Sequence, residues 1–261
     1  IKLCDRTAMA RPRNPRPSAA PVKSALRVLE VLDYFATARR PSSVSEIARA
    51  LGYPQSSTSM LVSTLIEQGY LAEGADRKVA PSVRVALLGR WVDARVTDGR
   101  IHRLMQDLGQ ETGETILLGI PGDTSAIYVD AVPATNPMRL HIPPGTTRPI
   151  EASGVGLMLL SAMDEAEIAR RVARAAAVRP PGQRVALETV MAEVGDIRRL
   201  GFSRSLDRVV PGAGIVCVLL PQAVHEHPVA LGIGGLSSVL LERTEELVEL
   251  LRARIARHLG T

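Results

Sequence analysis

The stretch Val44–Gly69, VSEIARALGYPQSSTSMLVSTLIEQG, constrains this chain more than any other, because its spacing predicts two short helices joined by a three-residue turn. Ser43 and Glu46 stand at capping-box spacing, so each can satisfy the other's backbone N–H at the start of the first helix. Val44, Ile47, Ala48 and Leu51 fall on one face, and Gly52 ends the helix. Pro54 presets φ for a second start, Thr58, Leu61, Val62, Leu65 and Ile66 make its apolar stripe, and Gly69 caps its end. The opposite face carries Ser56, Ser59, Met60 and Ser63. A helix that only meets water is usually rich in Lys, Glu and Gln, whereas serine and threonine form helix less well. Short hydroxyls let a backbone approach a groove and meet base edges, and a methionine can pack on a thymine methyl. The pair therefore reads as a helix-turn-helix whose second helix contacts duplex DNA. The same pattern also suits a helical hairpin buried against another protein surface.

Charge is distributed in keeping with the first reading. Residues 1–100 hold 16 Lys and Arg against 9 Asp and Glu, and residues 101–261 hold 16 against 18, so the net charge of +5 comes from the helix-turn-helix half. Phosphate-neutralising charge beside a reading helix is the footprint of a duplex binder; a basic tail that aids solubility accounts for part of it. A length of 261 residues allows two domains, and an aromatic content of 3% requires aliphatic cores. Apolar runs such as Gly214 to Pro221 are too short to span a bilayer and no signal-peptide pattern appears, so a cytoplasmic protein without membrane contact is expected. Two cysteines, Cys4 and Cys217, provide neither a disulfide framework nor zinc spacing, and no metal or cofactor is expected.

Residues 1–21, with Arg11, Pro12, Arg13, Pro15, Arg16 and Pro17, read as a disordered arm, either a DNA-touching extension or a segment upstream of Met9. From Lys23 to Phe35 a supporting helix follows from Ala25, Val28, Leu29, Leu32 and Phe35. After Gly69, Tyr70 to Ala72 and Lys78 to Ala80 read as a β-hairpin with Gly74 and Asp76 in its turn. That is the layout of a winged helix-turn-helix, with Arg77 and Lys78 at the wing tip.

Taken together, SALRVLEVLDYF, SVSEIARALGYPQSSTSMLVSTLIEQGYL and PSVRVALLG, from Ser24 to Gly89, resemble the amino-terminal domain of the IclR family of bacterial transcription regulators. Many members carry an arginine where this chain has Met60. Residues 22–89 are expected to form the DNA-binding domain, with Gln55, Ser56, Ser57, Ser59, Met60 and Ser63 toward the bases and Arg77, Lys78 and Arg84 toward the backbone. Residues 90–112, with Trp91, Val92, Val96, Ile101, Leu104, Met105 and Leu108, read as a linker helix that contributes to a dimer seam or as an ordinary helix of the second domain.

Residues 113–261 alternate short apolar runs with helical patterns: strands over 115–120, 125–132, 138–142, 202–206, 215–220 and 229–236, and a long closing helix over 238–259. Hairpin-joined strands with helices beside them predict an α+β domain with an antiparallel sheet. This resembles the family's GAF-like effector domain, which binds small metabolites, often organic acids. Glu151, Ser153, Gly154, Val155 and Gly156 open an apolar helix with small residues, a suitable carboxylate site or simply a tightly packed helix start. In the family a histidine usually stands at the position of Glu151 and a lysine at that of Leu157. Ser205, Asp207 and Arg208 fall in a segment that precedes a pocket-lining strand containing Ile215 and Cys217, and Gly232 and Gly234 stand where some members have ligand-binding serines. Glycine there would make room, which implies a larger or more apolar acid, such as an aromatic one, with Arg208 as its anion partner or as a surface residue.

His225 and His227 lack partner ligands, and no phosphate loop or nucleophile elbow occurs. The expected function is a DNA-binding regulator, repressor or activator, that acts as a homodimer or homotetramer on a roughly palindromic operator and responds to a small-molecule effector. A metabolite-binding module or enzyme with an accessory helix-turn-helix is the other reading.

Overall fold

The computed structural model describes residues 22–88, 99–136, 142–221 and 227–260. Residues 1–21, read as an arm, Trp91, Val92 and Val96 of the expected linker helix, most of the strand expected over 138–142, and His225 lie outside the described residues. The chain divides into two compact units, the second beginning at Pro81 and also taking in residues 36–39.

In the first unit, α1 (Lys23–Ala38), α2 (Val44–Leu51) and α3 (Gln55–Glu67) precede a hairpin of β1 (Leu71–Glu73) and β2 (Val79–Pro81). Its core is Val31, Phe35, Ile47, Val62, Leu65, Leu71 and Val79. The capping box forms as the spacing requires: Ser43 N–H donates to Glu46 Oε2 at 2.8 Å and Glu46 N–H to Ser43 Oγ at 3.3 Å. Gly52 adopts φ 67°, and Gly69 adopts φ 73°. Gly69 N–H donates to Ile66 O and Tyr70 N–H to Leu65 O, both at 2.8 Å, which closes α3 as a Schellman motif. The stripe of α1 differs from its expected phase. Ala25 and Leu29 are exposed, and Val28, Val31, Leu32 and Phe35 face inward, where they join the core with Ile47, Val62 and Leu65. Ser42 pairs with Val79 through two backbone hydrogen bonds and accepts one from Tyr34 Oη, which anchors the wing to α1.

The second unit opens with α4 (Val83–Leu87) and α5 (Arg100–Thr112). A six-stranded sheet follows: β3 (Thr115–Pro121), β4 (Ser125–Val132), β5 (Thr147–Pro149), β6 (Ser203–Leu206), β7 (Ala213–Leu219) and β8 (Ala230–Leu236), in the order β5-β4-β3-β8-β7-β6. Every pairing is antiparallel. Side chains alternate across it. One face packs on α5, α9 (Ser237–Glu242) and α10 (Thr244–Leu259) through Ile116, Leu118, Val216, Val218, Leu231 and Ile233. The other packs on α6 (Gly154–Leu160), α7 (Glu165–Val178) and α8 (Leu187–Leu200) through Leu117, Tyr128, Ile215 and Cys217. Ile101, Leu104, Met105 and Leu108 of α5 are thus core residues of this unit. The single closing helix predicted over 238–259 is instead two, broken at Arg243 with φ −104°. Thr244 Oγ1 donates to Leu240 O at 2.6 Å, so a side chain closes α9 where the periodicity shows no interruption.

Candidate nucleic-acid interface and effector cavity

On α3 the apolar and polar faces separate as the sequence predicts. Thr58, Val62 and Leu65 are buried, and Ser56, Ser59, Met60 and Ser63 are exposed, with Met60 67% accessible. Ser57 is half-buried. Gln55 Nε2 donates to Ser45 Oγ at 3.1 Å, which fixes the start of α3 against α2. The turn between the helices is tied to α1: Arg27 lies 5.0 Å from the Tyr53 ring centroid, and Tyr53 Oη bonds to Glu30. At the wing tip Arg77 holds φ 56°, a left-handed conformation stabilised by the reverse turn in which its N–H donates to Gly74 O. Asp76 accepts from Lys78 N–H at 3.1 Å and pairs loosely with its ammonium at 3.6 Å. Arg84 is exposed on α4, which belongs to the second unit. Between residues 22 and 80 there are only seven Lys and Arg against six Asp and Glu, so the basic excess of the amino-terminal half lies largely before and after this unit.

In the second unit a cavity of 190 Å³ opens between the sheet and the start of α6. Leu117, Ile142, Val209, Val210, Ala213 and Ile215 give it apolar walls, and Tyr128, Arg148, Ser153 and Ser205 supply its polar groups. A bulge in β4 positions Tyr128. The register slips between Leu118 and Gly119, so Tyr128 turns toward the cavity, whereas Asp130, only two residues on, turns to α5 and meets His102 Nδ1 at 2.8 Å. Burial raises the Tyr128 pKa despite the nearby Arg148 guanidinium, which keeps the phenol protonated as a hydrogen-bond donor. Ser153 caps α6: its Oγ accepts from Gly156 N–H at 3.1 Å and donates to Pro149 O at 2.6 Å.

The predicted effector residues divide accordingly. Ser153, Gly154, Ser205 and Ile215 line this cavity, and Glu151, Val155, Gly156, Asp207, Arg208, Cys217, Gly232 and Gly234 do not. Glu151 is 2% exposed, and its Oε1 accepts from Arg179 Nε at 2.5 Å. Arg208 pairs with Glu193 on the surface, Nη2 to Oε1 at 2.8 Å. Asp207 accepts from Gly212 N–H and Ser237 Oγ, and so braces a turn. Cys217 is buried, with its thiol pushed up to about 12, 3.0 Å from Ser203 Oγ; that hydroxyl donates to Gly154 O at 2.7 Å. Gly232 and Gly234 open no space for a ligand. A Cβ on Gly232 would stand 2.8 Å from both Ile215 Cδ1 and Cys217 Cβ, and one on Gly234 would stand 3.2 Å from Leu117 Cδ1. Neighbouring strands have filled the room these glycines leave. Sequence reasoning missed Tyr128, Arg148, Val209 and Val210. The alternation of Ala126 and Tyr128 in β4 was the available signal for the tyrosine, in a chain with few aromatics.

Residues 24–74 match the IclR helix-turn-helix domain, and residues 98–259 match the bacterial transcriptional regulator IclR C-terminal domain. The chain belongs to the IclR family. Both matched domains are those of transcriptional regulators, not enzymes. Among IclR-family relatives, the chain is 28% identical over 162 residues to the transcriptional repressor IclR of Escherichia coli K12, covering 60% of this chain and 59% of that one. It is 30% identical over 166 residues to the acetate operon repressor of Salmonella typhimurium, covering 60% and 61%. The match thus spans about three-fifths of these relatives. A solved IclR homologue from Microbacterium hydrocarbonoxydans, complexed with 4-hydroxybenzoate, superposes with a TM-score of 0.63 at 21% identity over 89% of this chain and 96% of that one, and so shares the fold.

Proposed function

We infer that this IclR-family protein binds a roughly palindromic operator as a homodimer or homotetramer, and that a compact apolar carboxylate in the 190 Å³ cavity modulates that binding. The observation that carries the effector class is the pairing of apolar walls with one cation, Arg148, and one phenolic donor, Tyr128. An apolar cavity of about 150 Å³ holds benzene, so this one has room for a single ring and a small polar group. Arg148 would face the carboxylate, with Tyr128 and Ser205 completing its hydrogen bonds. The aromatic acid in the Microbacterium homologue supports the same class. Ser56, Ser59, Met60 and Ser63 of α3 would read base edges, with Gln55 and Ser57 at its start and Arg77, Lys78 and Arg84 on the backbone. The effector acts by binding one of two arrangements of the assembly more tightly than the other.

Fluorescence anisotropy on the intergenic DNA beside the gene, against a scrambled duplex, tests the first part. Preferential binding supports it, and equal weak binding to both removes it. Titration of the bound complex with benzoate and 4-hydroxybenzoate tests the second. A saturable change in operator affinity is expected, and it should be absent with benzamide, which lacks the charge. An identical response to benzamide would eliminate Arg148 as the anion partner.

A further inference from the structure

A second, larger cavity of 540 Å³ borders the start of β6, the edge strand of the sheet, at Ser203 and Arg204. Asp207 N–H donates to Ala213 O, and β6 pairs with β7 from Ser203–Cys217 to Leu206–Gly214. Hydrogen bonds in an antiparallel ladder alternate. The backbone groups of Ser203 and Ser205 therefore face β7, and those of Arg204 and Leu206 point out to the open edge, beyond which no strand lies among the described residues. The cavity has two unlike walls. On the α6–α8 side it is lined by the apolar Leu157 and Ile197, and on the α9–α10 side by Glu242 and Glu245. Glu193 and Asp196, also in the lining, are engaged by Arg208 and Arg199, whereas Glu242 and Glu245 are exposed and have no ion pair among the described residues.

We propose that β6 is a docking edge for an extended segment of a partner protein that pairs antiparallel with it and in which basic and apolar residues alternate. Residues paired with Arg204 and Leu206 would share their face of the sheet, which looks onto α10, as the Arg204 Nη1 to Thr244 Oγ1 bond of 3.3 Å shows. Those residues are the basic ones, and they meet Glu242 and Glu245. The residues between them point to the opposite face and meet Leu157 and Ile197. Main-chain hydrogen bonds supply affinity, and the two walls supply the sequence preference.

The test uses the full chain and a capped Lys-Val-Lys-Val-Lys-Val peptide. Saturable binding is expected, with amide-exchange protection confined to β6 and its flanking helices. A Glu-Val peptide should not bind. Glu242→Gln with Glu245→Gln should weaken binding at least threefold. Arg204→Pro removes an outward N–H without touching the β7 ladder and should bind at least tenfold more weakly than Arg204→Ala, which removes a like charge and keeps that N–H. Should Arg204→Pro fail to fold, N-methylation of the lysines must abolish binding and N-methylation of the valines must spare it. Equal affinity of the Pro and Ala variants, equal loss from either methylation, or binding of the acidic peptide would each overturn the proposal. So would conversion of the assembly to a smaller species by Arg204→Pro with no peptide bound, because the edge would then join copies of this chain.

Discussion

Glu46 shows what one side chain contributes here. Its carboxyl is held down at about 2 by hydrogen bonds from the Ser43 N–H and from the Arg40 guanidinium, well below its ordinary 4.5. A depressed carboxyl stabilises the folded state above its unfolded pKa and loses that contribution as the pH falls through the folded one. The start of α2 should therefore be fully supported above about pH 4.5 and should loosen toward pH 2, a dependence that Glu46→Gln removes; amide exchange of Glu46 and Ile47 across that range checks it. Ser43→Ala removes the other half of the box and should cost about 1 kcal/mol in chemical denaturation. On α3, Met60→Ala should alter sequence preference across a set of operator variants and leave the salt slope unchanged, since methionine touches no phosphate. In the cavity, Arg148→Ala should raise the effector concentration for half-response at least tenfold without changing effector-free operator affinity. Arg208→Ala, which breaks only a surface pair with Glu193, should leave both unchanged.

At the scale of elements, α6 is a short helix of seven residues, all of them buried, and its start borders the 190 Å³ cavity. Two glycines permit it. A Cβ on Gly154 would stand 2.8 Å from Ile215 Cγ2 and Ser205 Cβ, and one on Gly156 would collide with the backbone of Ile150. Gly156→Ala must displace the β5–α6 turn and should cost on the order of 1–3 kcal/mol, read as a lower denaturation midpoint together with weaker effector binding. The small residues in this stretch are legible in the sequence as a close approach, but a ligand and a packed backbone demand the same composition. Only the coordinates separate them: Gly154 borders the cavity, and Gly156 borders Ile150. The break between α9 and α10 was invisible for a related reason. Thr244 sits in phase with the apolar stripe, and nothing in its spacing reveals that its hydroxyl takes the Leu240 carbonyl.

For the whole molecule, the near balance of charge over residues 22–80 limits how much phosphate the helix-turn-helix unit can neutralise. Residues 1–21 hold five further Lys and Arg, and residues 81–100 hold four. Each phosphate neutralised on duplex DNA contributes about 0.9 to the slope of log K against log salt. Removal of residues 1–21 should therefore lower that slope by about 2 or more if the arm lies on the backbone, and an unchanged slope would assign the contacts to Arg77, Lys78 and Arg84. The sequence by itself determined the helix-turn-helix, its caps, its uncharged outer face and the antiparallel character of the second unit. All of these depend on neighbours within one or two turns or on strand alternation, which a linear pattern records. The tertiary structure decided the 190 Å³ cavity proposed for the effector. Leu117, Tyr128, Arg148, Ser205 and Ile215 come from five different strands, and the central β3–β8 pairing joins residues more than a hundred positions apart. Which face each side chain takes there depends on a bulge at Leu118/Gly119 and on glycines that let adjacent strands close the space, and neither leaves a periodic trace.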